Sequence, residues 1–114
     1  MKTANITAAA AALGVAIGLA SGGARAQLDD KSAMAIMNKA ACSACHTIDK
    51  RSVGPSYKDV AAKRKGEKDA AAVMAEKIRK GSTGVYGPIP MPPNPADKVS
   101  DDQVKQMVAW ILTK

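Results

Sequence analysis

The sequence is poor in the large side chains that usually fill a protein interior. It contains no phenylalanine, two tyrosines and one tryptophan among 114 residues. A domain of about this size buries only about 60–65% of its unfolded surface, so its side chains alone form a weak core. No stretch alternates apolar and polar residues as a half-buried strand does. The sequence therefore predicts an all-α protein whose core is completed by something other than its own side chains.

Cysteine and histidine are equally scarce. The chain has two cysteines and one histidine, and all three lie in Cys42-Ser43-Ala44-Cys45-His46. A Cys42–Cys45 disulfide would close too small a loop to stabilise much, a zinc site needs four ligands, and a thioredoxin-like pair needs a βαβ context. Cys-x-x-Cys-His is the pattern of covalent haem c attachment. It predicts thioethers from Cys42 and Cys45 and an axial bond from His46 to the iron. A non-haem module that uses the bare dithiol is the alternative.

Residues 1–26 have the pattern of a cleaved secretory signal. Lys2 supplies a positive start, residues 6–20 are apolar, and small residues precede a cleavage point after Ala26. The apolar run is shorter than the about 18 residues expected of a spanning helix, so we expect cleavage rather than stable membrane insertion. Residues 27–114 would then form one domain in the periplasm.

Four segments carry the periodicity of amphipathic helices. We expect helices over about 30–41, 56–64, 69–80 and from about Ser100 onward. Ser100 and Gln103 fit a capping box, whereas Asp69 is an N-cap candidate for the third helix. Apolar stripes on the first and last helices predict that these two pack on each other, with Trp110 near the edge of the last stripe.

A long proline-rich loop separates the third and fourth predicted helices. Loops longer than about 12–15 residues are usually functional or disordered, and its five prolines favour a stiff path. Met91 lies in this loop between two prolines, whereas Met37, Met74 and Met107 fit helical stripes that face a core. We therefore expect Met91 to be the second axial ligand of the iron. A thioether paired with an imidazole raises the reduction potential, and two filled axial positions favour electron transfer.

The chain resembles the small class I bacterial cytochromes c of the cytochrome c-551 (c8) group. The resemblance rests on Cys42–His46, Val53–Lys63 and Gly81–Asn94 and extends over essentially all of residues 27–114. It implies an all-α class I cytochrome c fold, with about four helices around one covalently bound haem c. It also implies an electron carrier rather than an enzyme, one that shuttles single electrons between respiratory or denitrification partners.

The same resemblance implies supporting roles for four residues. Pro55 would offer its carbonyl to the axial imidazole, and Asn94 would hydrogen-bond the axial sulfur. Tyr86 stands where a tryptophan is expected and Lys77 where an arginine is expected. Both would lie near a haem propionate, although a lysine loses the bidentate contact of an arginine.

The implied partners are redox proteins, namely periplasmic nitrite reductase, terminal oxidase, peroxidase or membrane cytochrome complexes. The protein itself is expected to be a monomer. The expected docking rim is Ser43, Ala44, Val53, Pro88, Ile89, Pro90 and Pro92. Lysines such as Lys39 or Lys50 would either steer an acidic partner or form an ordinary solvated surface. Nucleic acid is not expected, because Lys63-Arg64-Lys65 is too short a signal. The competing hypothesis is a haem enzyme, or a gas- or peroxide-binding protein, in which the methionine ligand is labile.

Overall fold

Four helices form the described part of the molecule. The computed structural model describes residues 27–114 and the single residue Gly14; the predicted signal segment otherwise lies outside it. The helices are α1 (Asp30–Lys39), α2 (Tyr57–Arg64), α3 (Ala70–Lys80) and α4 (Asp101–Ile111). A short 3₁₀ turn, Cys42–Ala44, lies between α1 and α2, and no strand occurs within these residues. The predicted all-α class is confirmed. No helix among the described residues is long and apolar enough to cross a bilayer.

The helices begin where side chains can satisfy free backbone N–H groups. Ser56 and Ser100 start α2 and α4, each in a capping box with the residue three positions further on. Asp29 caps α1 by accepting a 2.6 Å hydrogen bond from the Ser32 backbone N–H. Asp69 occupies the predicted N-cap position of α3, but its side chain makes no capping hydrogen bond.

The end of α1 sets the direction of the chain into the cysteine segment. The helix ends at Lys39, two residues before the predicted end. Ala41 then adopts a left-handed conformation with φ of 62°, which no α-helix can continue. The chain therefore turns sharply, and Cys42 starts the 3₁₀ turn.

The core is built around α4, which contacts α1, α2 and α3. The contact between α1 and α4 confirms the packing predicted from their stripes. Trp110, expected near the edge of its stripe, is instead only 1% exposed. Its indole Nε1–H donates to Asp30 Oδ1 at 2.9 Å. The start of α1 packs over this edge of α4 and buries Trp110. The periodicity of α4 alone does not show which other element packs against it.

Candidate functional site

A cleft opens between the cysteine turn, the helices and the long loop. It encloses about 170 Å³ of cavity volume and is partly open to solvent. All eight predicted site residues line it: Cys42, Cys45, His46, Pro55, Lys77, Tyr86, Met91 and Asn94. The fold thus brings together residues that are up to 52 positions apart in the sequence.

His46 is held by the loop that follows it. Its Nδ1 lies 2.7 Å from the carbonyl oxygen of Pro55. Since a carbonyl can only accept, Nδ1 carries the proton and Nε2 keeps a free lone pair. The imidazole also stacks on the Tyr57 ring, with centroids 5.5 Å apart. Ring orientation and tautomer are therefore fixed by the protein itself.

Tyr57 is a cleft residue that the sequence reasoning missed. It is 3% exposed, and its hydroxyl is buried with no hydrogen-bond partner among the described residues. Burial is the main cause of a strong rise in the pKa of this hydroxyl, so Tyr57 remains neutral. Its position, one residue after the cap of α2, gave no signal of a role beside His46.

The two cysteines lie on one compact turn. The backbone N–H groups of Cys45 and His46 both donate to the Cys42 carbonyl, at 3.1 and 3.0 Å. Both thiols are free and half-buried. Burial raises the pKa of the Cys42 thiol, and the nearby Lys98 ammonium opposes that rise. The turn thus presents two thiols and the imidazole to the same cleft.

Met91 is half-buried at the cleft wall, and its backbone is fixed by pairing with Ser82. The Ser82 N–H donates to the Met91 carbonyl at 3.1 Å, and the Met91 N–H donates to the Ser82 carbonyl at 2.8 Å. Gly81 lies behind this pair with φ of +85°. The loop between Ser82 and Met91 is therefore closed at its base, directly beyond the end of α3.

Asn94 makes contacts that the sequence did not indicate. Its side-chain amide donates to the carbonyls of Ile78 at 3.1 Å and Pro92 at 3.2 Å, and no hydrogen bond reaches the Met91 sulfur in the described structure. The carbonyl of Ile78 belongs to the last turn of α3, where carbonyls lack helical partners. Asn94, which is 5% exposed, therefore ties the loop to the helix end. It thereby holds the backbone next to Met91, and the expected hydrogen bond to the Met91 sulfur stays a prediction.

Arg79 makes a second tie that the sequence reasoning did not find. Its guanidinium donates to the carbonyls of Asn94 at 2.7 Å and Val99 at 2.9 Å, and to Asp101 Oδ1 at 2.5 Å. The only sequence signal was a basic residue in the last turn of a helix. The contacts cross 15 to 22 positions. They fasten the end of the loop to the start of α4.

One end of the cleft collects polar groups that have no partner in the protein. The Tyr86 hydroxyl and Arg64 Nε are buried without a hydrogen-bond partner among the described residues. Lys77 lines the same cleft. Buried donors left unpaired are costly, so such groups point to a ligand that accepts hydrogen bonds. A macrocycle with acidic substituents fits this end of the cleft, as the thiols and the imidazole fit the other.

The fold and the cleft together define a small all-α protein built around one porphyrin. The profile of the cytochrome c family matches residues 31–114. Cytochrome c-551 of Pseudomonas aeruginosa is 53% identical over 73 residues, covering 64% of this chain and 67% of its own length. Cytochrome c-552 of Nitrosomonas europaea is 46% identical over 99% of this chain and 98% of its own.

Solved structures agree with the sequence relatives. The crystal structure of Nitrosomonas europaea cytochrome c552 has a TM-score of 0.65 and 48% identity, covering 70% of this chain and 96% of its own. The class 1 cytochrome MtoD of Sideroxydans lithotrophicus gives a TM-score of 0.62 at 29% identity, covering 75% and 95%. The chain belongs to the class I bacterial cytochromes c. It is a monohaem electron-transfer cytochrome with one covalently bound haem c.

Proposed function

We propose that this protein is an electron carrier in which His46 and Met91 would be the two protein ligands of the haem iron. The observation that supports this best is the convergence of Cys42, Cys45, His46 and Met91 on one cleft. When bound, the haem supplies a one-electron Fe(III)/Fe(II) couple. The chain's own contribution is to position ligands, exclude water and tune the potential.

The attachment chemistry uses the turn of the two cysteines. The two free thiols of Cys42 and Cys45 line the cleft and would hold the haem covalently through two thioether bonds. His46 offers Nε2 because Nδ1–H is donated to Pro55. A hydrogen-bonded imidazole is also a more basic ligand. Tyr57, stacked on the ring, limits its rotation.

We propose that electrons enter and leave the protein at the mouth of the cleft. Val53 and Ile89 are 46% and 62% exposed there, and both line the cleft. An exposed apolar rim suits brief docking with a redox partner. The proposed partners are nitrite reductase, terminal oxidase, peroxidase or membrane cytochrome complexes. Cleavage near Ala26 would deliver residues 27–114, as a monomer, to the periplasm where these partners lie.

The deciding experiment replaces the proposed sulfur ligand. Met91→Leu keeps the shape but removes the thioether, so the near-red charge-transfer band of a sulfur–iron bond should vanish from the ferric spectrum. The reduction potential should fall, within the span of about 0.8 V that axial ligands cover. Exogenous imidazole or cyanide should bind more readily to the variant than to wild type.

Met34→Leu is the matched control. Met34 lies on α1, packed against the core, so its loss should leave band and potential unchanged. A band that survives in Met91→Leu would place the ligand elsewhere. Absence of the band from wild type at neutral pH would instead favour the haem enzyme or ligand-binding alternative.

A further inference from the structure

We propose that Arg64 binds a carboxylate of the haem, at the end of the cleft between α2 and the long loop, and that it does so together with Tyr86, whose place near a propionate the family resemblance already implies. The proposal rests on the proposed function only in that a haem attached at Cys42 and Cys45 occupies the cleft. It assigns a role to Arg64, a residue that looked like part of a short basic run in the sequence.

The first argument is the state of the two donors. Arg64 Nε and the Tyr86 hydroxyl are both buried and line the cleft, and neither meets an acceptor at normal hydrogen-bond geometry among the described residues. The two side chains are close enough to interact with each other, so they present their donors from one place. A guanidinium can only donate, so its missing partner must be an acceptor. An anionic acceptor is favoured, because charge-assisted hydrogen bonds are about twice as strong as neutral ones. The propionates are the anionic part of a haem.

The second argument is that Arg64 is already held in place. Its Nη1 donates to both carboxylate oxygens of Glu67, at 3.3 and 3.0 Å. The Arg64 side chain is only 12% exposed. Glu67 thus fixes one side of the guanidinium, and Nε remains available toward the cleft. Little rotamer freedom remains to be lost when a carboxylate binds.

The third argument is the local charge. The charged groups that surround the Arg64–Tyr86 pair are Arg51, Asp59, Lys63 and Glu67. Arg51 donates to the Tyr86 carbonyl, and Lys63 Nζ lies 5.5 Å from the centre of the Tyr86 ring. Counting Arg64, three cations face two carboxylates. Burial raises the pKa of the Tyr86 hydroxyl, so it remains a neutral donor, although Arg64 opposes that rise. This end of the cleft therefore favours an anion.

The test measures the reduction potential of the holoprotein against pH. If Arg64 binds a haem carboxylate, the guanidinium should lower the pKa of that carboxyl, and its ionisation should lower the reduction potential. Arg64→Met should move that inflection upward by about one to three pH units, the usual effect of losing an adjacent opposite charge. At pH values above the inflections of both proteins, the potential of Arg64→Met should also be lower than that of wild type. The Arg64 cation disfavours the ferric state, and the variant lacks it. Tyr86→Phe should shift the inflection the same way by less.

Lys65→Met is the matched control, since it removes an equal charge one residue further on, at an exposed position. The two single effects of Arg64→Met and Tyr86→Phe should be non-additive, because both groups bind the same carboxylate. Arg64→Lys keeps the positive charge but lacks the planar guanidinium, so it should shift the inflection by an intermediate amount. It also replaces Arg64→Met as the test variant if Arg64→Met fails to fold.

The proposal would be overturned if Arg64→Met and Lys65→Met gave the same curve of reduction potential against pH. A change in the melting temperature alone would then show that the role of Arg64 is purely structural. The near-red band, recorded on each sample, reports Met91 separately. If wild type lacks that band, the methionine ligation fails while the pH curves still decide the role of Arg64. A chain that intact mass shows to be without haem would overturn both.

Discussion

Ser82 and Met91 exchange both of their backbone hydrogen bonds, at 3.1 and 2.8 Å, and this pair closes the loop that carries the proposed sulfur ligand. Met91 therefore occupies a position set by main-chain contacts at the end of α3. A ligand held in this way need not be ordered anew when the iron changes its charge. Rigid ligation of this kind suits a carrier of single electrons.

Gly81→Ala tests whether this backbone pair positions Met91. A Cβ on Gly81 would lie 2.6 Å from the Met91 carbonyl oxygen, and the residue's φ of +85° and ψ of 175° belong to a region used almost only by glycine. Strain and overpacking together should cost about 2–4 kcal/mol of holoprotein stability. The near-red band should weaken as Met91 is displaced, measured by spectroscopy alongside a denaturant titration.

Gly84→Ala separates strain from displacement. Gly84 also has a positive φ, of +80°, but a Cβ there meets nothing within 4 Å. It should cost only about 1–2 kcal/mol and leave the band intact. Equal spectral changes in the two variants would contradict the claim that the contact with Met91 is what matters.

Local signals explain why much of the fold could be predicted. The capping boxes at Ser56 and Ser100 depend on residues three positions apart, and the apolar stripes depend on residues on neighbouring helical turns. A short window of sequence therefore contains what is needed to predict a helix and its buried face. The cysteine motif is equally local. Ala41 shows the limit of this reasoning: its left-handed conformation ends α1 early, although alanine is a strong helix former.

Gly54→Ala should disturb the proximal side of the site. A Cβ at Gly54 would lie 2.7 Å from His46 Cε1 and 3.1 Å from Nδ1. The imidazole would have to tilt and weaken its bond to Pro55. We expect a loss of about 1–3 kcal/mol in stability and a shifted potential, measured by thermal melting and redox titration. Ser52→Ala, at an exposed position of the same loop, should change neither; an unchanged potential in Gly54→Ala would show that the ring tolerates the contact.

Arg79 should prove essential for the order of the Met91 loop. Arg79→Met removes three donated hydrogen bonds and leaves the carbonyls of Asn94 and Val99 unpaired. Each such loss typically costs about 1–3 kcal/mol, so we expect a destabilisation of about 2 kcal/mol or more. Amide hydrogen exchange in the loop should quicken.

Lys80→Met is the control for Arg79, because Lys80 forms only an exposed pair with Glu76 at 2.9 Å. Such a pair is worth about 0.5 kcal/mol at most. If the two variants lost similar stability, the loop would be held by other contacts.

Non-local contacts explain what the sequence could not reveal. The hydrogen bond from Trp110 to Asp30 spans 80 positions, and those from Arg79 reach 15 to 22 positions away. A basic residue inside Lys63-Arg64-Lys65 looks like solvated surface, and only the fold shows that Arg64 lines the cleft. The hydrogen bond from the Asn94 amide to the Ile78 carbonyl spans 16 positions and is likewise visible only in the fold.

The link between Asp30 and the end of α4 should make stability depend on pH. Hydrogen bonds from Lys114 Nζ at 2.6 Å and from Trp110 at 2.9 Å lower the pKa of Asp30. Because the unfolded carboxyl titrates near about 3.9, the contribution is fully present above that pH and is lost as pH falls through the lower folded-state pKa. A double-mutant cycle of Asp30→Asn, Lys114→Met and the double variant, measured by denaturant unfolding, gives the coupling free energy between the two side chains. This coupling should be present at pH 7 and should fade toward pH 2. Coupling of equal size at both pH values would mean that the carboxylate charge does not carry the interaction.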